Sequence, residues 1–206
     1  MLRTITWLAV LTATTVPAHS ALQLTRAGAP VAALVIPDAA LPVVKAAAEE
    51  LQYHVAKSSG ATLPIVPEAD CRATTGLLFL GPCKATLALG LKLDQLKPNG
   101  YFARNAAGNL HLIGDDSPGD VFSVQHGNRT HVGTLFAVYD LLAKQLGVRW
   151  LWPGPLGEVI PRQADIAATF ADQASAPPFV HARWREGGAT MSGPKGWADQ
   201  RNRSVF

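Results

Sequence analysis

Residues 133–161 read GTLFAVYDLLAKQLGVRWLWPGPLGEVIP, and this stretch decides the fold class. Leu135, Val138, Leu142 and Leu146 recur at three- and four-residue steps, which draws one apolar stripe along a helix. Gly147 stands where a helix is closed by a left-handed residue. Val148-Arg149-Trp150-Leu151-Trp152 is then a short β-branched and aromatic run, cut off by Pro153-Gly154-Pro155. The unit is therefore a helix, a tight turn and a strand.

Upstream of this unit lies a polar loop, Asp115 to Val132. Before the loop, Tyr101–Arg104 and Leu110–Gly114 alternate apolar and polar residues around the turn formers Asn105 to Asn109, which predicts a hairpin. Gly76 to Leu80 is an almost continuous apolar run suited to a central strand, and Thr62 to Val66 is a further strand. A short helix is expected over Lys84 to Leu89. Val44, Ala48, Leu51 and Val55 form the stripe of a long helix. Asp38 is expected to cap it, Pro42 to sit in its first turn and Gly60 to end it. Leu22 to Ile36 gives one or two short strands.

Helices and strands interleave, yet a hairpin is present. The expected class is α+β: a mixed, largely antiparallel sheet with two main helices on one face. From Ala167 onward the texture changes, and Ala176-Pro177-Pro178 reads as a linker. The expected division is a leader over 1–20, a folded domain over 21–169, and a linker and tail over 170–206.

The 206 residues carry 18 Lys+Arg against 15 Asp+Glu, a formal charge of +3 with no run of five like charges. That balance excludes a nucleic-acid surface. Hydrophobic residues make up 48% and charged ones 16%, enough apolar side chain for a packed core. Arg3, the apolar stretch Ile5–Val16 and the small-x-small triplet Ala18-His19-Ser20 have the pattern of a signal peptide cleaved before Ala21. The stretch falls well short of the ~20 residues of a membrane span. An exported protein, periplasmic or extracellular and not held in a membrane, is expected. Export makes a disulfide between Cys71 and Cys83 chemically permitted, with two buried free thiols as the alternative.

The literal residues go further than the pattern. GT-x-x-AVYDLL, LGVRWLWPG and GEVIP resemble the N-terminal domain of secreted alpha-glucuronidase-like glycoside hydrolases, and a similar domain precedes the barrel of beta-N-acetylhexosaminidases. AAAEELQYHVAKSSGATLPIV (Ala46–Val66), GLLFLGPC (Gly76–Cys83) and GYFARNAAGNLHLIGDD (Gly100–Asp116) resemble the family's first helix and strand, its central strand and its hairpin. Pro178-Phe179, Arg183-Trp184 and Trp197 to Arg203 resemble the lead-in to a catalytic barrel. A (β/α)₈ barrel takes about 250 residues, and 28 residues follow Pro178. The resemblance thus implies the non-catalytic front end of a polysaccharide-degrading hydrolase, inactive alone, whose partners are the parent's barrel and a plant-type or uronate-containing glycan. A free-standing carbohydrate- or partner-binding module is the alternative.

Catalytic residues of such hydrolases lie on the barrel, so none is assigned here. Glu158, Glu186 and the pair Asp115-Asp116 are the carboxylates nearest the family-like segments, and turn formation accounts better for the pair. Asp120, His126, Arg129 and His131 share one polar loop, but His-x-x-x-x-His is not the spacing of two ligands on one helical face. No metal and no cofactor is expected. Trp152, Trp184 and Arg183 are the candidate carbohydrate contacts. Trp150 and Arg149 are weighed beside them, since aromatic faces stack on sugar rings and guanidinium groups clamp carboxylates. Asn128-Arg129-Thr130 is a formal glycosylation sequon. No phosphate loop, nucleophile elbow or zinc-protease motif occurs. An apolar patch around Trp152–Val159 and Phe179–Trp184 is expected at the junction with the barrel.

Overall fold

The computed structural model of the chain describes residues 21–122, 130–151 and 154–177. Its elements, in chain order, are β1 (Leu22–Arg26), β2 (Ala29–Pro30), β3 (Ala33–Ile36), α1 (Pro42–Ser59), β4 (Ile65–Pro67), β5 (Leu77–Leu80), α2 (Lys84–Leu87), β6 (Tyr101–Ala106), β7 (Asn109–Gly114), α3 (Gly133–Gln145), β8 (Arg149–Trp150), β9 (Glu158–Val159), β10 (Ile166–Ala168) and β11 (Gln173–Ser175).

The main sheet has six strands in the order β11-β6-β7-β5-β3-β4. Its pairs β3·β4, β3·β5 and β5·β7 are parallel, while β6·β7 and β6·β11 are antiparallel. A second sheet, β10-β1-β2, and the two-stranded ribbon β8-β9 are antiparallel throughout. The expected mixed sheet with helices is therefore found. Its parallel part is β7-β5-β3-β4, which runs out to the edge strand β4, and α1 carries the chain back from β3 to β4.

Strand alternation sorts the core into two layers. Leu34, Leu78, Leu80, Leu110 and Leu112 join Val44, Leu51, Val55, Leu135, Val138 and Leu142 of α1 and α3 in one large apolar cluster. On the opposite face Val35, Leu77, Phe79 and Cys83 form a smaller one. The two main helices thus share one face, and they pack on each other. Burying a Leu or Val side chain contributes roughly 1.5–3 kcal/mol, so the larger cluster dominates stability.

Local chemistry explains where the elements stop. Gly60 (φ 83°) and Gly147 (φ 71°) take the left-handed conformation just past α1 and α3, as expected from sequence. The hairpin is tighter than expected. β6 and β7 run through Ala106 and Asn109, and only Ala107-Gly108 turn, both with positive φ. The expected cap of α1 is not formed. Leu41 is the N-cap residue, and the Asp38 carboxylate accepts from the Ala69 backbone N–H at 2.8 Å. The sheet also extends past the boundary expected near Thr169, because β11 pairs with β6. Gln173-Ala174-Ser175 has no apolar alternation, so this edge strand leaves no signal in the sequence.

β3, β5 and β7 all point their carboxyl ends at one edge of the sheet. α1 and α3 start at that edge and end at the other, where the ribbon β8-β9 follows α3. α1 has 18 residues and is therefore about 27 Å long.

Candidate functional site at the carboxyl edge of the sheet

The polar loop from Asp115 to Val132 closes on itself at the carboxyl edge. Asp116 and Val132 form an isolated antiparallel bridge. The Ser117 N–H donates to the His131 carbonyl at 3.0 Å, and the His131 N–H donates to the Ser117 hydroxyl at 2.8 Å. Beneath this neck two glycines cross. A Cβ on Gly114 would stand 2.2 Å from the Gly133 carbonyl carbon, and one on Gly133 would stand 2.3 Å from the Gly100 carbonyl oxygen. Only hydrogen fits at either position.

Both adjacent aspartates are spent on this neck. The Asp116 carboxylate accepts from the Thr134 backbone N–H at 2.8 Å and from the Thr134 hydroxyl, which places it over the first turn of α3. Thr134 in turn accepts from the Gly114 N–H at 2.9 Å. Desolvation pushes the Asp116 carboxyl up to about 6 against those hydrogen bonds, with Asp115 adding to the rise and His131 opposing it. Asp115 accepts from the Asn99 N–H at 3.1 Å and stands 2.7 Å from His131 Nδ1. Asn99 completes the neck. It adopts φ 58° and accepts from the Val132 N–H at 2.8 Å. Asn99 and Thr134 were not singled out from sequence, although Thr134 sits just inside the helix that follows the acidic pair.

A second polar set locks α3 to the sheet. The Tyr101 hydroxyl donates to buried Asp140, which also accepts from Lys144 at 2.6 Å. Desolvation and the neighbouring carboxylate hold the Tyr101 phenol above its ordinary range.

The other carboxylate near the family-like segment, Glu158, accepts from the Tyr53 hydroxyl at 2.9 Å. Asp120 accepts from the Phe122 N–H two residues on, as turn aspartates do. Among the described residues no three of His, Cys, Asp and Glu group so as to hold a metal.

Trp150 is no sugar platform, being 5% exposed. Its indole N–H donates to His54 Nε2 at 3.2 Å, and its ring meets His54 and Tyr139 edge-on. With Nε2 accepting, the neutral His54 tautomer carries its proton on Nδ1, which donates to the Glu50 carbonyl at 2.7 Å. Arg149 is likewise committed, donating to the Ala143 and Val148 carbonyls at 2.8 Å each. Trp152, Arg183 and Trp184 lie outside the described residues, as do Glu186, His126, Asn128 and Arg129.

Apolar side chains do surface in the expected stretch. Leu151 is 72% exposed, Leu156 101% and Val159 47%, all on or beside the ribbon β8-β9. Lys57 at the end of α1 covers the nearby Tyr53 ring at 5.6 Å.

Cys71 and Cys83 are free thiols in the structure, so the bridge weighed from sequence is not formed there. Cys71 packs at the margin of the small apolar cluster that holds Cys83. Desolvation, with Glu68 nearby, pushes the buried Cys83 thiol up to about 12. Glu68 ties the two regions together by accepting from the Lys84 and Ala85 N–H groups at the start of α2. On the same face His111 stacks on Phe79 with ring centroids 4.6 Å apart and meets the Thr86 hydroxyl at 3.0 Å. Desolvation lowers its pKa.

No protein-family model and no curated protein matches the chain. Among solved structures it is similar to a family GH115 4-O-methyl-alpha-glucuronidase with specificity for decorated arabinogalactans, at 17% identity and a TM-score of 0.49. The match covers 75% of this chain and 18% of that one. The likeness transfers no residue role.

Proposed function

We propose that the chain is a non-catalytic domain of an exported alpha-glucuronidase-like glycoside hydrolase, acting in polysaccharide breakdown by supporting a catalytic barrel that continues the polypeptide. The sequence resemblance of Gly133–Pro161 supplies the family. The observation that carries the non-catalytic role is the use made of the acidic pair: Asp116 holds Thr134 at the start of α3, and Asp115 holds Asn99 and His131. A glycosidase needs one carboxyl to give up a proton to the leaving oxygen and another facing the sugar. Asp115 and Asp116 instead close a loop neck, and Glu158 is engaged by Tyr53. The leader pattern over residues 1–20 supports export.

Hydrolysis assays separate this reading from an enzyme. The purified 206-residue chain should release no uronic acid from 4-nitrophenyl α-glucuronide or from a glucuronate-decorated polysaccharide. Turnover by this chain, lost in Asp115→Asn or Asp116→Asn, would overturn it.

A further inference from the structure

Asn99 stands in the loop neck with a chemical weakness. Lys97-Pro98-Asn99-Gly100 is a turn, closed by the Gly100 N–H donating to the Lys97 carbonyl at 2.7 Å. Pro98 comes second and Asn99, at φ 58°, third, which is the pattern of a type II turn. Glycine would meet the need for positive φ, but the side chain at this position is also used. Asn99 Oδ1 accepts from the Val132 N–H at 2.8 Å and pins the far end of the loop. Asparagine satisfies both demands without adding a charge beside Asp115 and Asp116.

The next position has no room for a side chain. A Cβ on Gly100 would stand 2.8 Å from the Lys97 carbonyl oxygen and 3.2 Å from that of Ser175. Two separate structural demands therefore set asparagine directly before glycine, a pair that occurs nowhere else in the 206 residues. Asn105 is followed by Ala106 and Asn109 by Leu110.

Before glycine an asparagine is open to attack by the backbone, because no Cβ crowds the following nitrogen. The Gly100 nitrogen gives its proton to solvent hydroxide and bonds to Asn99 Cγ. The Cγ–Nδ2 bond breaks, and Nδ2 takes a proton from water and leaves as ammonia. A five-membered succinimide remains. Water then opens one of its two carbonyls, giving either an aspartate or an isoaspartate whose main chain runs through Cβ and Cγ.

In the closed neck both reacting groups are held. The Gly100 N–H is spent on Lys97 and Asn99 Oδ1 on Val132, while the Asn99 N–H donates to Asp115 at 3.1 Å. We infer that Asn99 is a self-modification site gated by the neck: it deamidates when the loop opens, and the product then keeps the neck from closing. An aspartate here adds a carboxylate where Asp115 already accepts from the N–H of residue 99, setting like charges together. An isoaspartate lengthens the main chain just before Gly100, whose carbonyl accepts from the Asp115 N–H at 2.8 Å and lies 2.3 Å from where a Cβ on Gly133 would be. Neither product fits the closed neck.

The purified chain is aged at mildly alkaline pH, once folded and once in concentrated guanidinium chloride, and its peptides are mapped for the amide-to-acid mass gain and for isoaspartate. In denaturant Asn99 should convert ahead of Asn105 and Asn109. In the folded chain its conversion should be slower by about tenfold or more, since only the open fraction reacts. Ser117→Ala, which removes the acceptor of the His131 N–H, should speed conversion in the folded chain while its circular dichroism stays that of the parent. After return to native buffer, the isoaspartyl fraction should exchange the Val132 amide hydrogen faster than the unmodified fraction. Equal rates in the folded and unfolded chain, earlier conversion of Asn105 or Asn109, or no acceleration in Ser117→Ala would overturn the gating. Equal protection of Val132 in both fractions would overturn the claim that the product holds the neck open.

Discussion

Asp116 shows what a sequence can and cannot say about one residue. Its position before Ser117-Pro118-Gly119 reads as turn chemistry, yet its carboxylate is bound to Thr134, eighteen positions on. That partner is invisible without the fold, because a long loop intervenes between them. The residue carries a pH prediction. Its carboxyl is raised from 3.8 to about 6, so the folded chain binds this proton more tightly than the unfolded chain does. The stability it contributes is therefore full below pH 3.8 and is lost as pH rises through about 6. Asp116→Asn keeps an acceptor for the Thr134 N–H and a donor for its hydroxyl, but carries no charge. Thermal unfolding of the variant should lose less stability between pH 5 and pH 8 than the parent does. Parallel pH profiles for the two proteins would refute the burial cost assigned to Asp116. Asp38 taught a related lesson: an aspartate four residues before a helix binds whichever N–H comes near, here that of Ala69.

At the scale of elements, periodicity was a good guide where one face of an element is buried. The stripes Val44-Ala48-Leu51-Val55 and Leu135-Val138-Leu142-Leu146 are all buried, and Gly60 and Gly147 end their helices as read. α3 is buried from Gly133 to Ala143 all the way round, because β6 and β7 lie on one side and α1 and β10 also pack against it. A stripe cannot announce that. The edge strand β11 and the two-residue strand β9 were not legible, since elements so short carry no period, whereas β8 falls inside the strand expected over Val148–Trp152. Of the candidate site, the acidic pair and the loop were legible as residues, but their assembly with Asn99 and Thr134 was not. Two leucines in the family-like segment separate packing from display. Leu142→Ala in the core should cost about 2–5 kcal/mol in denaturant unfolding. Leu156→Ser on the ribbon should change stability by no more than about 0.5 kcal/mol. A loss at Leu156 as large as that at Leu142 would mean that the ribbon is structural and not a display surface.

At the scale of the whole molecule, the described residues form one folded α/β unit, and the proposed function sets a catalytic barrel beside it. The main sheet, its helix layer and the second sheet close a continuous core, so the unit needs no barrel to explain its packing. Among the described residues no helix is long and apolar enough to cross a membrane. The most direct test is the intact mass of the species released by its native cell, captured with an antibody against this domain. The account predicts a secreted polypeptide longer than this chain by at least the ~250 residues of a barrel. A mature species running from Ala21 to Phe206 would contradict it.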